Sequence, residues 1–138
     1  MDKSTLLFSL AEKVAVVTGA SSGLGRRAAE VLTKSGARVV GVARRAEALE
    51  NLALELGENF SYICADISDR SILRDLSLEV NNKFGSPDIV VHAAGVNTRQ
   101  TADEVTYLGW DQTISLNLST PFFFIPASCS WNEKKGLG

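Results

Sequence analysis

The residues with the clearest chemical meaning form a glycine-rich stretch, TGASSGLG, at positions 18–25. It directly follows an apolar run at residues 14–17 and precedes a stretch with helical periodicity. A glycine turn between a strand and a helix lets the backbone approach a pyrophosphate, and the helix dipole attracts the same anion. The spacing predicts that Gly19 makes the turn, Gly23 permits close approach, and Gly25 lets the helix pack on the sheet.

Side chains of the same turn add hydrogen-bond donors. The hydroxyls of Ser21 and Ser22 can donate to phosphate oxygens. A glycine pattern alone also occurs in tight turns that bind nothing, but its place between a strand and a helix favours a dinucleotide site. The predicted phosphate-binding residues are Gly19, Ser21, Ser22, Gly23, Leu24 and Gly25.

The residues at the end of the second apolar run help to distinguish an NAD(H) site from an NADP(H) site. About 20 residues after the glycine turn, an NAD-binding fold places an acidic residue that bonds the ribose 2′-hydroxyl. This chain has Ala43, Arg44 and Arg45 there instead. Two guanidinium groups and no carboxylate suit a 2′-phosphate, which predicts NADP(H), with NAD(H) as the alternative. The other interpretation is that the arginines solvate a helix start, although the helix dipole disfavours cations there.

Two further strand ends carry candidate cofactor contacts. Asp66 ends the third apolar run and can accept a hydrogen bond from an adenine amino group; otherwise it is a turn or cap residue. The fourth run ends in HAAG at 92–95, where small residues let the backbone pass close to a bound cofactor. The predicted contacts at these two ends are Asp66, Ile67, Ala93, Ala94 and Gly95.

Strand and helix patterns alternate along the chain. Four continuously apolar runs are typical of parallel strands covered on both faces, and they lie at 14–17, 38–43, 60–65 and 89–93. Amphipathic patterns between them end at glycines and lie at 24–35, 45–56 and 71–84. Asp69 is a candidate N-cap for the third helix. The order predicts an α/β fold, a Rossmann-like doubly wound parallel sheet of about four strands in one domain over 1–138.

Composition argues against several classes of function. The formal net charge of −2 provides no basic field for nucleic acid or an anionic membrane. No apolar run approaches the roughly 18 residues that a membrane helix needs. One histidine and two cysteines form no zinc-ligand spacing, so no metal site is expected. Cys64 lies in an apolar run and is expected to be buried and reduced, as in a cytoplasmic protein, and unpaired with Cys129.

Together these motifs resemble the short-chain dehydrogenase/reductases over nearly the whole chain. The resemblance rests on the glycine turn, Asp66, the 92–95 element and the sequence WDQTISLNL at 110–118. It implies hydride transfer between a nicotinamide cofactor and a small carbonyl or alcohol substrate, with Asn117 as the catalytic asparagine that anchors a water relay. Within the family, the chain is similar to NADP-using ketone reductases and to polyol or gluconate dehydrogenases.

The resemblance also implies catalytic residues that this chain does not contain. The family's acid/base tyrosine and its lysine form a Tyr-x-x-x-Lys motif, whereas Tyr62 and Tyr107 are each followed four residues later by an aspartate. We expect that motif and the family's serine to lie after Gly138, beyond a fifth strand that the tail at 132–138 is about to enter. The truncated chain alone is then expected to bind the cofactor without turnover.

Two positions depart from the family pattern. His92 and Ala93 replace asparagines of an Asn-Asn-Ala-Gly element, and His92 is expected to be a hydrogen-bonded structural residue rather than a catalyst. Pro126 falls in a helix that the family uses for subunit packing, which predicts a kink or a later helix start.

Two other classes of function stay open on the sequence. A non-catalytic nucleotide-binding or interaction module would leave the fourth strand and residues 122–124 uncovered, so it would associate with a second copy or a full-length relative. A methyltransferase that binds S-adenosylmethionine has a similar sheet, but it favours an acidic residue where Arg44 lies. The substrate cannot be read, because the loops that form its pocket follow later strands.

Overall fold

The computed structural model describes residues 7–95 and 100–128, the last four by their backbone alone. Its centre is a parallel sheet in the order β3-β2-β1-β4. The strands are β1 (Val14–Thr18), β2 (Arg38–Ala43), β3 (Phe60–Cys64) and β4 (Ile89–His92). The chain builds outward from β1 to β3 and then returns to the far side of β1. The carboxyl ends of β1 and β4 therefore form a topological switch point.

Helices cover both faces of this sheet. The first pair, α1 (Gly23–Lys34) and α2 (Ala46–Leu56), lies on one face, and α3 (Leu73–Phe84) lies on the other. Short 3₁₀ turns precede β3 and α3, at Gly57–Asn59 and Arg70–Ile72. A longer helical run follows β4 and comprises α4 (Tyr107–Ile114), a π-helical segment (Ser115–Ser119) and α5 (Thr120–Ser128). The architecture is the doubly wound α/β sheet that the sequence predicts.

The central strand β1 explains why the apolar runs are continuous. All five of its residues are buried. Ala15 and Val17 belong to the apolar cluster that α1 and α2 complete, whereas Val16 belongs to the cluster that α3 and α5 complete. Successive side chains of a strand point to opposite faces, so a strand covered on both faces is apolar at every position.

Local sequence determines where the helices begin and end. Gly36, Gly57 and Gly85 follow α1, α2 and α3, and each has a positive φ, which confirms the predicted helix ends. Asp69 accepts a hydrogen bond from the backbone nitrogen of Ser71 at 3.0 Å. Its predicted capping role is therefore confirmed, although it caps the 3₁₀ turn that leads into α3 rather than α3 itself.

The end of β3 differs from the sequence prediction. The strand ends at Cys64 rather than at residue 65, and Cys64 is exposed, so the expectation of a buried thiol is wrong. Its Sγ donates to the Arg44 carbonyl oxygen at 3.0 Å. The physical reason is the strand's position: β3 pairs only with β2 within the described residues, and an outer strand is less completely covered than β1.

The helical run after β4 extends across Pro126. Its backbone is helical from Tyr107 to Ser128. Of the two alternatives predicted at Pro126, the later helix start is excluded, because α5 begins at Thr120, and the kink stays a prediction. Pro121 has no N–H to donate to the carbonyl of Asn117, which lies within the π-helical segment Ser115–Ser119.

Two sequence predictions concern residues outside the described ranges, namely the unpaired state of Cys129 and the tail at 132–138. Within residues 7–95 and 100–128, no helix combines the length and the apolar character needed to cross a bilayer.

Candidate functional site

A cleft of about 1170 Å³ opens at the carboxyl ends of the strands. It lies over the switch point between β1 and β4, where open α/β sheets bind their ligands. Its walls come from the glycine turn, the end of β2, the loop after β3, the end of β4 and the α4–π region. Every residue that the sequence predicts to contact the cofactor lines this cleft, whereas Asn117 does not.

The glycine turn at the base of the cleft leaves no room for two side chains. Gly19 has a φ of 69°, and a Cβ there would lie 2.7 Å from the backbone nitrogen of Ala94. A Cβ on Gly25 would overlap the Gly19 carbonyl group and would lie 3.1 Å from the Ala93 Cβ. The Gly19 N–H donates to the Val42 carbonyl at 2.9 Å. Gly25 therefore lets α1 pack directly on the turn, and the turn packs on the end of β4.

The first turn of α1 presents backbone donors to the cleft. Ser22 is the N-cap residue, and its side chain makes no capping hydrogen bond. The Arg26 backbone N–H makes the first hydrogen bond of the helix, to the Ser22 carbonyl oxygen at 3.3 Å. The N–H groups of the helix residues before Arg26 therefore have no acceptor within the helix. Gly23, with a φ of 57°, has nothing within 4 Å of its Cβ position, so this turn borders open space. Such an N-terminus suits an anion.

Two arginines that follow β2 line the cleft, and one of them contacts the glycine turn. The Arg45 Nη2 donates to the Ser21 Oγ at 3.5 Å, across the mouth of the cleft. Ala43 ends the strand, is buried and offers no carboxylate. Among the described residues, Arg44 and Arg45 are the basic side chains that line the cleft, and both are exposed.

Another arginine lies near the turn in sequence but is engaged elsewhere. Arg26 bonds Glu30 on its own helix at 3.3 Å and Glu55 on α2 at 3.1 Å. These contacts tie α1 to α2 on the surface, where ion pairs contribute little to stability. The geometry therefore separates a structural arginine from the two at the cleft.

Asp66 lies in the loop after β3, and hydrogen bonds from Ser68 hold its carboxylate in place. Its Oδ1 accepts from the Ser68 backbone nitrogen at 3.0 Å and from the Ser68 Oγ at 2.7 Å. These bonds, together with the positive charge of Arg44, hold the pKa of Asp66 below its ordinary value despite partial desolvation. The carboxylate is thus ionised at neutral pH, and it acts as a turn residue while it also lines the cleft.

His92 differs from the sequence expectation. Neither ring nitrogen has a hydrogen-bond partner among the described residues, so no bonded structural histidine is found there. The ring meets the buried Phe124 ring edge-on, with the centroids 5.9 Å apart. Burial lowers the pKa of His92. The residue does not line the cleft, so the structure gives it no part in the site.

Asn117 lies on the π-helical segment beside the end of β4. A Cβ on Gly95 would be 3.0 Å from the Asn117 Oδ1. Its neighbours Ser115 and Leu116 line the cleft, although Asn117 does not. π-Helical segments are frequent at functional sites, where they re-aim a side chain.

Sequence reasoning missed part of the cleft wall. The residues it missed on the helical run are Asp111, Gln112, Ser115 and Leu116. Their helical spacing puts them on one face, and this periodicity is the signal that could have found them. Other missed positions flank predicted ones and are Val42, Ala43, Ala65 and Ser68. Within the part of the chain that is described, no three His, Cys, Asp or Glu side chains group as metal ligands.

A doubly wound sheet with a glycine turn at its switch point is typical of dinucleotide-binding proteins. The profile of the family described as short chain dehydrogenase matches residues 13–135. The chain therefore belongs to the short-chain dehydrogenase family, whose members are NAD(P)-dependent oxidoreductases.

Individual relatives agree with this family. The chain is 37% identical to a D-threitol dehydrogenase from Mycolicibacterium smegmatis, over 87% of this chain and 47% of that protein. It is 32% identical to a 3-oxoacyl-[acyl-carrier-protein] reductase from Salmonella typhimurium, over 91% of this chain and 52% of that protein. A crystal structure of a short-chain dehydrogenase/reductase (glucose/ribitol dehydrogenase) from Brucella melitensis matches with a TM-score of 0.82 and 31% identity, over 88% of this chain and 51% of that one. The chain thus spans about half the length of the relatives it matches.

Proposed function

We propose that this chain binds NADP(H) in the cleft and forms the nucleotide-binding half of an oxidoreductase. The complete enzyme transfers a hydride between the nicotinamide and a small carbonyl or alcohol substrate. The observation that carries the proposal is the approach of the Arg45 guanidinium to the Ser21 hydroxyl, at 3.5 Å, beside the helix N-terminus of the glycine turn.

Each wall of the cleft fits one part of the cofactor. The first turn of α1 has backbone donors for the pyrophosphate. The ionised Asp66 accepts from the adenine amino group, and Ile67 borders the same wall. The backbone at 93–95 leaves room for the nicotinamide end. The nicotinamide, when bound, supplies or accepts the hydride.

Charge at the β2 end favours NADP(H) over NAD(H). The carboxylates that line the described cleft are Asp66 and Asp111, and neither lies on β2. Arg45 and Ser21 together can donate several hydrogen bonds to a 2′-phosphate, which the free 2′-hydroxyl of NAD would not use. Arg26 is not available for this role, because Glu30 and Glu55 bond it.

Titration calorimetry with NADP⁺ and NAD⁺ tests the cofactor assignment. Arg45→Ala removes charge-assisted hydrogen bonds, so we expect its Kd for NADP⁺ to rise about 10-fold to 100-fold. The Kd for NAD⁺ should stay unchanged. Arg38→Ala is the matched control, since Arg38 is an exposed arginine at the opposite end of the same strand. Equal affinity of the unsubstituted chain for both nucleotides would overturn the preference, and binding of neither would overturn the proposed function.

We also propose that these 138 residues bind the cofactor without turnover. Hydride addition to a carbonyl needs a proton donor for the developing alkoxide. The family's Tyr-x-x-x-Lys motif does not occur in the chain. Asn117, beside Gly95, would then anchor the water relay, but the chain would contain no tyrosine acid for that relay to supply with protons. Incubating the purified chain with NADPH and a panel of carbonyl compounds is the test, and measurable NADPH oxidation would contradict the proposal.

A second candidate is a non-catalytic nucleotide-binding module that acts through a partner. It is favoured by the exposure of apolar residues on α5, since Phe122 is 67% exposed and Phe123 is 49% exposed. The outer edge of β4 pairs with no strand among the described residues. Such surfaces favour association with a second copy or a full-length relative. Light scattering of the purified chain checks this, and a monomer at every concentration would count against it.

Several finer assignments stay predictions. The relatives named above act, by their names, on D-threitol and on a 3-oxoacyl-[acyl-carrier-protein], so the substrate of this chain is not inherited from either. Its cytoplasmic location is also untested. Membership of the dehydrogenase family leaves the methyltransferase hypothesis without support.

A further inference from the structure

The loop that carries Asp66 and the helical run that carries Asn117 are joined by hydrogen bonds. Thr120 is fully buried, and its Oγ1 donates to the Ile67 carbonyl oxygen at 2.8 Å. Ser115 makes a second, longer bond from its Oγ to the Ser68 carbonyl oxygen at 3.4 Å. Ser115 is the first residue of the π-helical segment and Thr120 directly follows its last, and the two acceptors are the residues directly after Asp66.

A buried hydroxyl of this kind holds its partner strongly in place. The Thr120 hydroxyl lies away from water, so breaking its bond would leave a polar group unsatisfied in the core. Ile67 is itself buried and belongs to the same apolar cluster as Phe124 on α5. The loop therefore cannot shift without disturbing the start of α5.

We propose that Thr120 is a positioning residue that couples the adenine side of the cleft to Asn117. The inference rests on the proposed function, in which Asp66 and Ile67 border the adenine. Through the Thr120–Ile67 bond, nucleotide bound at that loop fixes the start of α5. The π-helical segment ends there, so Asn117 is fixed beside Gly95. Two sites that bias one structural element are coupled in both directions.

The probe for this coupling is adenosine 2′,5′-bisphosphate, which carries the adenine and the 2′-phosphate but no nicotinamide. Bound at the Asp66–Arg45 side, it reports on the loop without supplying a group to Asn117. The side-chain amide of Asn117 is followed by ¹H–¹⁵N NMR during a titration of the full chain. We expect this resonance to shift on saturation.

Thr120→Val keeps the size of the side chain but removes the hydroxyl. We expect the Kd for the bisphosphate to rise about threefold to tenfold, the range of one lost hydrogen bond. The shift of the Asn117 amide should be largely lost. Thr120→Ser keeps the hydroxyl and should restore both. Thr113→Val is the matched control, because the Thr113 hydroxyl donates to the Gly109 carbonyl of its own helix, at 2.8 Å, and has no bond to the Asp66 loop among the described residues.

The outcomes separate the two proposals. If the unsubstituted chain binds the bisphosphate but Thr120→Val leaves its Kd and the Asn117 shift unchanged, the coupling is overturned and the proposed function stands. If the unsubstituted chain binds neither the bisphosphate nor NADP⁺, both are overturned. Should Thr120→Val fail to fold, Ser115→Ala at a less buried position carries the test. It should reduce the Asn117 shift in the same direction, and an unchanged shift overturns the coupling.

Discussion

The adjacent strands β1 and β4 have similar apolar sequences but different surroundings. Every residue of β1 is buried, whereas every residue of β4 is half-buried. β1 pairs on both sides, and β4 pairs only with β1 within the described residues. Each strand bears one wall of the cleft. The comparison indicates that the cleft wall at the end of β1 is packed on both sides by residues of this chain. The wall at the end of β4, beside Asn117, is less completely buried.

The largest effect is expected from a substitution in the glycine turn, on the well-packed β1 side of the cleft. Gly25→Ala puts a Cβ onto the Gly19 carbonyl, and we expect the free energy of unfolding to fall by about 3 kcal/mol, as in severe overpacking. Nucleotide binding should be lost with it. Gly23→Ala is the control, because its Cβ meets nothing within 4 Å and costs only about 1 kcal/mol for its positive φ. Urea denaturation measures both, and equal losses would contradict the packing argument.

A matched pair of valines compares the two strands directly. Val16 on β1 and Val90 on β4 lie opposite each other in register, and Val16 is fully buried whereas Val90 is half-buried. We expect Val16→Ala to lower the free energy of unfolding by about 2 kcal/mol, and Val90→Ala by about 1 kcal/mol. Urea midpoints with unchanged m-values would establish the difference. Equal losses would mean that β4 is as well covered as β1.

The smallest expected effect is a pH dependence that originates on β4. Burial lowers the pKa of His92, so the folded chain binds this proton less readily than the unfolded chain does. The stabilisation is present above the unfolded histidine pKa of about 6.5 and is lost as the pH falls through it toward the folded pKa. Stability should therefore decline between pH 7.5 and pH 5.5.

The variant His92→Asn isolates this contribution, because the chain contains a single histidine. Its free energy of unfolding should change less between those two pH values than that of the unsubstituted chain. An identical decline in both proteins would remove His92 as the cause, whatever the variant does to overall stability.

Much of the fold follows from local pattern. The apolar runs, the glycines after α1, α2 and α3, and the Asp69 cap each depend on interactions within a few residues. The predicted cofactor contacts also come together, because parallel strands end at one edge of the sheet. Two predictions failed at positions where distant neighbours decide the outcome: the buried thiol of Cys64 and the hydrogen bonds of His92.

The sequence by itself determined the family, the order of strands and helices along the chain, and the cleft residues of the glycine turn and the strand ends, since these depend on spacing and residue type. Only the tertiary structure decided which contacts hold the walls of the cleft in position. Gly25 packs on a carbonyl of its own turn, Arg45 rather than Arg26 faces Ser21, and the Thr120 hydroxyl reaches the Ile67 carbonyl. The physical reason is distance along the chain: 53 positions separate Thr120 from Ile67, and only the packing of α5 on the sheet brings their atoms to 2.8 Å.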